Sequence, residues 1–447
     1  MRPIYKLIYR MYRVSSGSWY WSSRRFTPAG FCVAGAVLVT GSIGLDIENT
    51  VTYQAFSLML TFLVLAFAVS WVFRARFSLQ RTLPRLGTAG QPLVYWVRVQ
   101  NLTGRPQAGL TLQENLADPR PAFPDWLAFK KAESRRARSF RFGERRRDHP
   151  FQRVTLREGL VPALSPRGQV EVRMEILPRR RGVLRFTGAS VARTDPLGLF
   201  RSCVTVPAPQ TVLILPRRYN LPPIALPGSM RYQEGGVALA ANVGRSDEFV
   251  ALREYRRGDP LRHIHWRSWA KAGRPIVKEF EDEFFVRHAL VLDTFLDEPY
   301  SEILEEAVSV AASFACTILT QESLLDLLFV GAESYCFTAG RGVGHTDRML
   351  EILAGVRECP DKPFAILEHL VLSHVSAVSG CVCVLLAWDE PRRAFVKKLQ
   401  ALNVPVLVLV MARSGGTLDP GPLRDEPHRF LALEPGRVEQ GLARLPG

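Results

Sequence analysis

Two apolar runs near the start of the chain, roughly Pro28–Leu45 and Tyr53–Phe73, constrain this sequence more than any other feature. Each approaches the ~20 residues that cross a bilayer core as a helix. Between them lies only Asp46-Ile47-Glu48-Asn49-Thr50, so a transmembrane helical hairpin is the expectation. Arg24 and Arg25 precede the pair and Arg74, Arg76 and Arg81 follow it. Basic outer flanks put both ends on the cytoplasmic side, the arrangement of a two-pass membrane protein. Residues 1–26 then form a basic cytoplasmic arm with six Lys or Arg, no acid, and interleaved Tyr and Trp. Residues 27–73 form the two transmembrane helices.

Past the apolar runs the pattern shortens and alternates. LVYWVRVQN, GLTLQEN, QVEVRMEIL, GVLRFTGASVAR, CVTV and TVLILP read as strands separated by Gly and Pro turns. An immunoglobulin-like β-sandwich over residues 89–216 is the packing such runs favour. Asp195-Pro196-Leu197-Gly198-Leu199-Phe200 is a turn with a mechanism, since Asp and Pro open it and Gly permits positive φ. The block Lys130–Arg147 carries nine bases and two acids. A solvated loop is its plain reading. Anionic lipid headgroups are its candidate ligand beside a membrane, and no nucleic-acid-binding pattern accompanies it.

Residues 217–285 combine a Pro- and Gly-rich linker with a charged stretch, Gly244–Glu283. Phe249, Leu252 and Tyr255 recur every third position, which predicts a short helix that Gly258 closes. Asp259 then caps a second helix and Gly273 offers its stop. Ile276, Phe280 and Phe284 follow on one face of a strand.

This stretch resembles the signature of the bacterial family called domain of unknown function 58. Gly244, Glu248, Phe249, Leu252, Arg253, Tyr255, Gly258, Asp259, Arg262, Ile264, Trp266 and Ala270 carry the resemblance. His265 stands where the family has an acid. Glu248, Phe249, Arg253, Tyr255, Gly258, Asp259, Arg262 and Trp266 are the candidate partner-binding or interdomain residues, because Arg forks clamp carboxylates or phosphates at two points.

From residue 286 to 447, continuous apolar strands alternate with amphipathic helices, the pattern of a doubly wound parallel sheet covered on both faces. The resemblance implies a von Willebrand factor A-like domain here. Ligands of such sheets bind beyond the carboxyl ends of the strands, where Asp293 and Asp389 fall. Domains of that type hold a divalent cation there through D-x-S-x-S. This chain reads Asp293-Thr294-Phe295-Leu296-Asp297, and phenylalanine has no oxygen for a hard cation. Asp293, Asp297 and Asp389 remain the candidate Mg²⁺ ligands of a degenerate site.

No G-x-S-x-G elbow, phosphate loop or H-E-x-x-H pair occurs. The seven cysteines form no C-x-x-C pair and sit mostly in apolar runs, as buried thiols of a reducing compartment do. The net charge of +16 lies largely in local blocks. The expected function is a non-catalytic, membrane-anchored adaptor without a cofactor. The resemblance implies a MoxR-type AAA+ ATPase as its partner in assembling or maturing protein complexes. The alternative class is a divalent-metal-dependent enzyme using Asp293, Asp389 and His265.

Overall fold

The computed structural model describes residues 2–43, 50–70, 73, 75–137, 153–222, 231–232, 249–257, 261, 264–280, 284–317, 323–340, 343–412 and 418–445. The chain divides into two compact units, Met1–Leu215 and Pro216–Gly447.

The first unit opens with three helices, α1 (Arg2–Arg25), α2 (Pro28–Ile43) and α3 (Thr50–Ser70). Val51–Ser70 is the one helix among the described residues long and apolar enough to cross a membrane; Pro28–Ser42 is apolar but shorter. The basic arm of residues 1–26 is helical over Arg2–Arg25. Tyr9 and Tyr12 of α1 pack on Trp126 of α4 (Phe123–Ala137) with ring centroids 5.4 and 6.1 Å apart, and the Tyr9 hydroxyl donates to the Pro121 carbonyl at 2.9 Å. Helix α4 also takes in Lys130 and Lys131, so the basic block begins as helix; its residues 138–147 lie outside the described ones.

The strands that follow are β1 (Phe77–Thr82), β2 (Leu86–Thr88), β3 (Leu93–Asn101), β4 (Leu110–Leu116), β5 (Val154–Leu156), β6 (Gly159–Val161), β7 (Gln169–Pro178), β8 (Gly182–Thr194) and β9 (Arg201–Leu215). They form two sheets, β1-β3-β7-β5 and β2-β9-β8-β4-β6, antiparallel except for the β2–β9 pair. Strict alternation explains the packing: Leu93, Tyr95, Val97 and Val99 of β3 face inward against Leu112 of β4, Phe186 and Val191 of β8, and Ile214 of β9. The expected CVTV and TVLILP strands are one, β9. Its first part pairs on one side only, with β8, and an edge tolerates Pro207 and Pro209.

Arg81 needs a correction. It is no flanking charge for the apolar helices, because its side chain is 1% exposed and forks onto the fully buried Glu114 at 3.1 and 2.6 Å. The pair ties β1 of one sheet to β4 of the other. Tyr95 donates its hydroxyl to Glu114 at 3.0 Å, and the guanidinium lies 4.6 Å from the Phe186 ring centroid.

The turn 195–200 holds the apolar helices α2 and α3. Asp195 accepts from the Leu197 and Phe200 amides at 2.9 and 2.6 Å, and Gly198 takes a φ of 72°. Phe26 bridges Phe200, and Thr27 donates its hydroxyl to the Gly198 carbonyl at 2.5 Å while capping α2 at Gly30. A Cβ on Gly30 would overlap the Leu199 carbonyl, so only glycine permits this approach. The far end of α3 meets the same turn: Ala66 is buried with Leu199 and Phe200, and the Ser70 carbonyl accepts from Ser202 at 2.6 Å.

The second unit contains β10 (Arg231–Tyr232), β11 (Phe249–Glu254), α5 (Trp266–Ala272), β12 (Ile276–Phe280), β13 (Phe284–Leu292), α6 (Glu302–Thr317), β14 (Ser323–Val330), β15 (Ser334–Ala339), α7 (Val343–Gly355), α8 (Ala365–His374), β16 (Gly380–Leu385), α9 (Glu390–Ala401), β17 (Val406–Met411), β18 (Phe430–Leu433) and α10 (Val438–Leu442). The main sheet runs β15-β14-β13-β16-β17-β18. The β14–β13–β16–β17–β18 ladder is parallel, and β15 closes one edge antiparallel. Numbered from β13, the order is 3-2-1-4-5-6, a doubly wound sheet whose switch point lies between β13 and β16. Every residue of β16 and β17 is buried, as continuous apolar strands demand.

Phe249–Glu254 is a strand and not the expected helix. It pairs antiparallel with β12, Glu254 opposite Ile276 and Leu252 opposite Lys278. The three-residue spacing suited a helix locally, but a partner strand more than twenty positions away decided the backbone. Gly273 does end α5, with a φ of 69° and its amide donating to the Trp269 carbonyl.

Candidate functional site

At the switch point the end of β13 delivers Asp293 to the carboxyl edge of the sheet. Its own amide bonds to the Val384 carbonyl at 2.9 Å, locking it to β16. The carboxylate is fully buried, and both oxygens are engaged. Oδ1 accepts from the Phe295 amide at 3.0 Å. Oδ2 accepts from the Leu386 amide at 3.0 Å and from Arg392 Nε at 2.6 Å.

Arg392 is the residue that sequence reasoning missed. It rises from the first turn of α9, whose N-cap is Asp389. Asp389 accepts from the Arg392 amide at 3.3 Å through Oδ1 and from Arg392 Nη1 at 2.6 Å through Oδ2. One guanidinium, 7% exposed, therefore bridges the two acids that strand positions had singled out. Phe364 stacks against it with the ring centroid 4.8 Å away, and Phe295 packs on Phe364 at 5.8 Å. Burial opposes the charge on Arg392, but Asp293 and then Asp389 outweigh it and hold the guanidinium above its ordinary range. The spacing Asp389-x-x-Arg392 at a helix start was a usable signal, since i and i+3 share a helix face.

The expected metal ligands do not converge. Asp293 and Asp389 meet through Arg392, while Asp297 is exposed and makes no described bond to either. Among the described residues no group of three His, Cys, Asp or Glu comes together to hold an ion. A hard cation wants six or more oxygens. Here Asp293 and Asp389 already serve Arg392 and backbone amides, and Phe295 offers a ring. The residues present do not fit Mg²⁺.

The signature residues lie elsewhere in the second unit. Glu248, Gly258, Asp259, Arg262 and His263 fall outside the described residues. Phe249 begins β11, and Arg253, half-buried, donates to the Glu254 carbonyl at 3.2 Å. The Tyr255 amide bonds to the Pro275 carbonyl at 3.0 Å. Ile264 bridges Val277, both buried, and His265 hydrogen-bonds Ser268 through Nδ1 at 2.7 Å. His265 meets a hydroxyl here and not the strand-end acids.

From this small scaffold α5 presents Trp266, 65% exposed and stacked on Trp269 with centroids 5.2 Å apart. Leu252 and Leu261 are exposed as well, and Arg256, Arg257, Arg267 and Lys271 surround them in the sequence as further exposed positions. An aromatic anchor among bases is the composition of a protein-contact patch.

The chain is similar to several known proteins. "Uncharacterized protein YeaD" of Bacillus subtilis (strain 168) is 28% identical over 178 residues, which is 39% of this chain. The aligned stretch spans only 42% of that relative's length. Among solved structures, the CARDB domain of PF1109 from Pyrococcus furiosus is 12% identical, over 31% of this chain and 94% of that one, at a TM-score of 0.17. A cohesin module of a family 33 glycoside hydrolase from Clostridium perfringens is 10% identical, over 32% and 98%, also at 0.17. Scores this low carry no argument about fold. The informative match lies on the signature and sheet just described: residues 251–385 match the family described as "Protein of unknown function DUF58".

Proposed function

We propose that this chain is a membrane-anchored, non-catalytic binding protein that works with a MoxR-type AAA+ ATPase in assembling or maturing protein complexes. On this reading α2 and α3 form a two-pass anchor in the bacterial inner membrane with both termini cytoplasmic. The start of α2 and the end of α3 meeting at one turn supports that topology. The first unit's sandwich is of immunoglobulin-like kind. The second unit is a von Willebrand factor A-like domain, a reading supported by its strand order and antiparallel edge strand.

The Arg392 bridge is the observation that carries the non-catalytic reading. An α/β sheet offers its chemistry at the switch point, and there one buried arginine pairs with both acids. Asp293, fully buried and accepting three hydrogen bonds, is thereby withheld from any substrate at this edge. The exposed Trp266 patch supplies the binding surface in its place.

The test is capture of a partner by the full-length protein in detergent, from its own lysate, with and without ATP. Recovery of an AAA+ ATPase that depends on nucleotide and is lost in Trp266→Ala supports the adaptor. Near-stoichiometric Mg²⁺ or Mn²⁺ binding by calorimetry, together with turnover abolished by Asp293→Asn, would replace it with the metal-dependent enzyme.

A further inference from the structure

We propose that α1 lies in the plane of the membrane surface, with one face immersed among anionic lipid headgroups, as a second attachment separate from the apolar helices. The inference rests on the reading of α3 as a membrane helix and adds to it a surface on α1.

Three faces can be read around this helix at 100° per residue. Tyr5, Tyr9, Tyr12 and Ser16 form the face turned toward the protein, where Tyr9 and Tyr12 meet Trp126. The opposite face is apolar and open: Ile4, Leu7, Met11 and Val14 are 60–71% exposed. Lys6, Arg10 and Arg13 run along one flank. The helix contains no acid. A solvated helix places its apolar stripe inward. This one places four of its five aliphatic side chains, Ile4, Leu7, Met11 and Val14, outward in line with bases beside them, which is the composition of an interfacial helix.

Continuity names the occupant. After Arg25 only Phe26 and Thr27 intervene before the apolar helix α2 begins. Trp19 packs on Phe31 of α2 at 6.0 Å, and Trp21 contacts Phe200 in the turn where α3 ends, at 6.2 Å. Tryptophans at that level match the interfacial belt of membrane proteins. The helix is also held in place: Arg24 donates to the Gln113 side chain and the Glu114 carbonyl of β4 at 3.2 and 2.7 Å, and Arg120 donates to the Arg13 carbonyl at 2.9 Å. The open face is therefore presented ready-made and need not fold on contact.

The experiment places the full-length chain in phosphatidylethanolamine–phosphatidylglycerol vesicles containing a lipid with a photoactivatable diazirine in its acyl chain. Adducts are mapped by mass spectrometry. The expected result is labelling of α3 and of α1 at Leu7, Met11 and Val14, with Tyr9 and Tyr12 unlabelled. Leu7→Asp with Met11→Asp should cut α1 labelling by roughly tenfold or more and leave α3 unchanged, since two buried side chains are lost from the lipid. Lys6→Glu with Arg10→Glu should reduce α1 labelling only in vesicles containing phosphatidylglycerol. Labelling of α3 without α1 overturns this proposal alone. Absence of labelling on both overturns the membrane reading itself. Chain-to-chain cross-links through Met11 in place of lipid adducts would overturn it in favour of a second copy as the occupant.

Discussion

Replacing Arg392 by Met tests what the switch-point bridge contributes. Asp293 is fully buried and keeps its two backbone donors, from Leu386 and Phe295, but loses its only described charged partner. Breaking a buried pair from one side costs about 3–5 kcal/mol, because a charge is left uncompensated. For a unit of roughly 230 residues that lowers Tm by about 6–20 °C, at ~2–4 °C per kcal/mol. Asp389 is different. Its side chain is 47% exposed, so screening limits its share of the ion pair to about 1 kcal/mol or less. Asp389→Ala mainly loses the cap of α9, another ~1 kcal/mol. The double variant Arg392→Met with Asp293→Asn removes the orphaned charge and should recover about 1 kcal/mol or more relative to the summed single costs. Hydrogen-exchange mass spectrometry on peptides from β13 and β16 measures this in the full chain. Exchange should accelerate by roughly a hundred- to several-thousand-fold in Arg392→Met if opening of this unit governs it. An Arg392→Met effect no larger than that of Asp389→Ala, or strictly additive costs, would refute the reasoning.

Four further outcomes follow from the geometry. Arg81→Met should destabilise the sandwich by about 3–5 kcal/mol and Tyr95→Phe by about 1, read from denaturant midpoints, because Glu114 loses its charge partner in one and a single hydrogen bond in the other. His288 on β13 is buried, its Nδ1 has no partner among the described residues, and desolvation lowers its pKa from 6.5. The unfolded chain then binds a proton that the fold refuses, so stability is present above about pH 6.5 and falls by up to ~1.4 kcal/mol per pH unit below it; His288→Leu should flatten that slope in thermal melts. Gly30→Val should speed exchange at residues 195–200 without touching β3 or β7, since only the close approach of α2 is lost. Trp266→Ala should leave stability within about 0.5 kcal/mol, by thermal melts, while abolishing partner capture.

Much of the fold could be read from the chain because it is encoded locally. Alternation in Leu93–Asn101 and Gln169–Pro178 specifies which side chains meet, and the unbroken apolar runs at Gly380–Leu385 and Val406–Met411 specify strands covered on both faces. The site was half legible. Position alone put Asp293 and Asp389 at strand ends, but their partner lies 99 residues from Asp293 in a helix that reads as ordinary surface. The same limit hid Arg81, whose acid is 33 residues away, and made a flanking charge of a core residue. The strand Phe249–Glu254 was lost for the opposite reason: its spacing was locally informative and pointed to the wrong period. Residues 1–26 showed their bases and aromatics, but which of them face Trp126 only the packing reveals.

The Asp195–Phe200 turn has a mechanical consequence. A domain joined to a bilayer by a free linker swivels, and a tug on it is first taken up as slack. Here the sandwich grips the entry of one apolar helix and the exit of the next at a single six-residue loop, through Thr27, Gly30 and Ala66, with Ser202 just beyond it holding Ser70. Load applied to the sandwich reaches α2 and α3 together and without delay. On the proposed two-pass anchor, a pull on this domain tilts the helix pair before it stretches any tether.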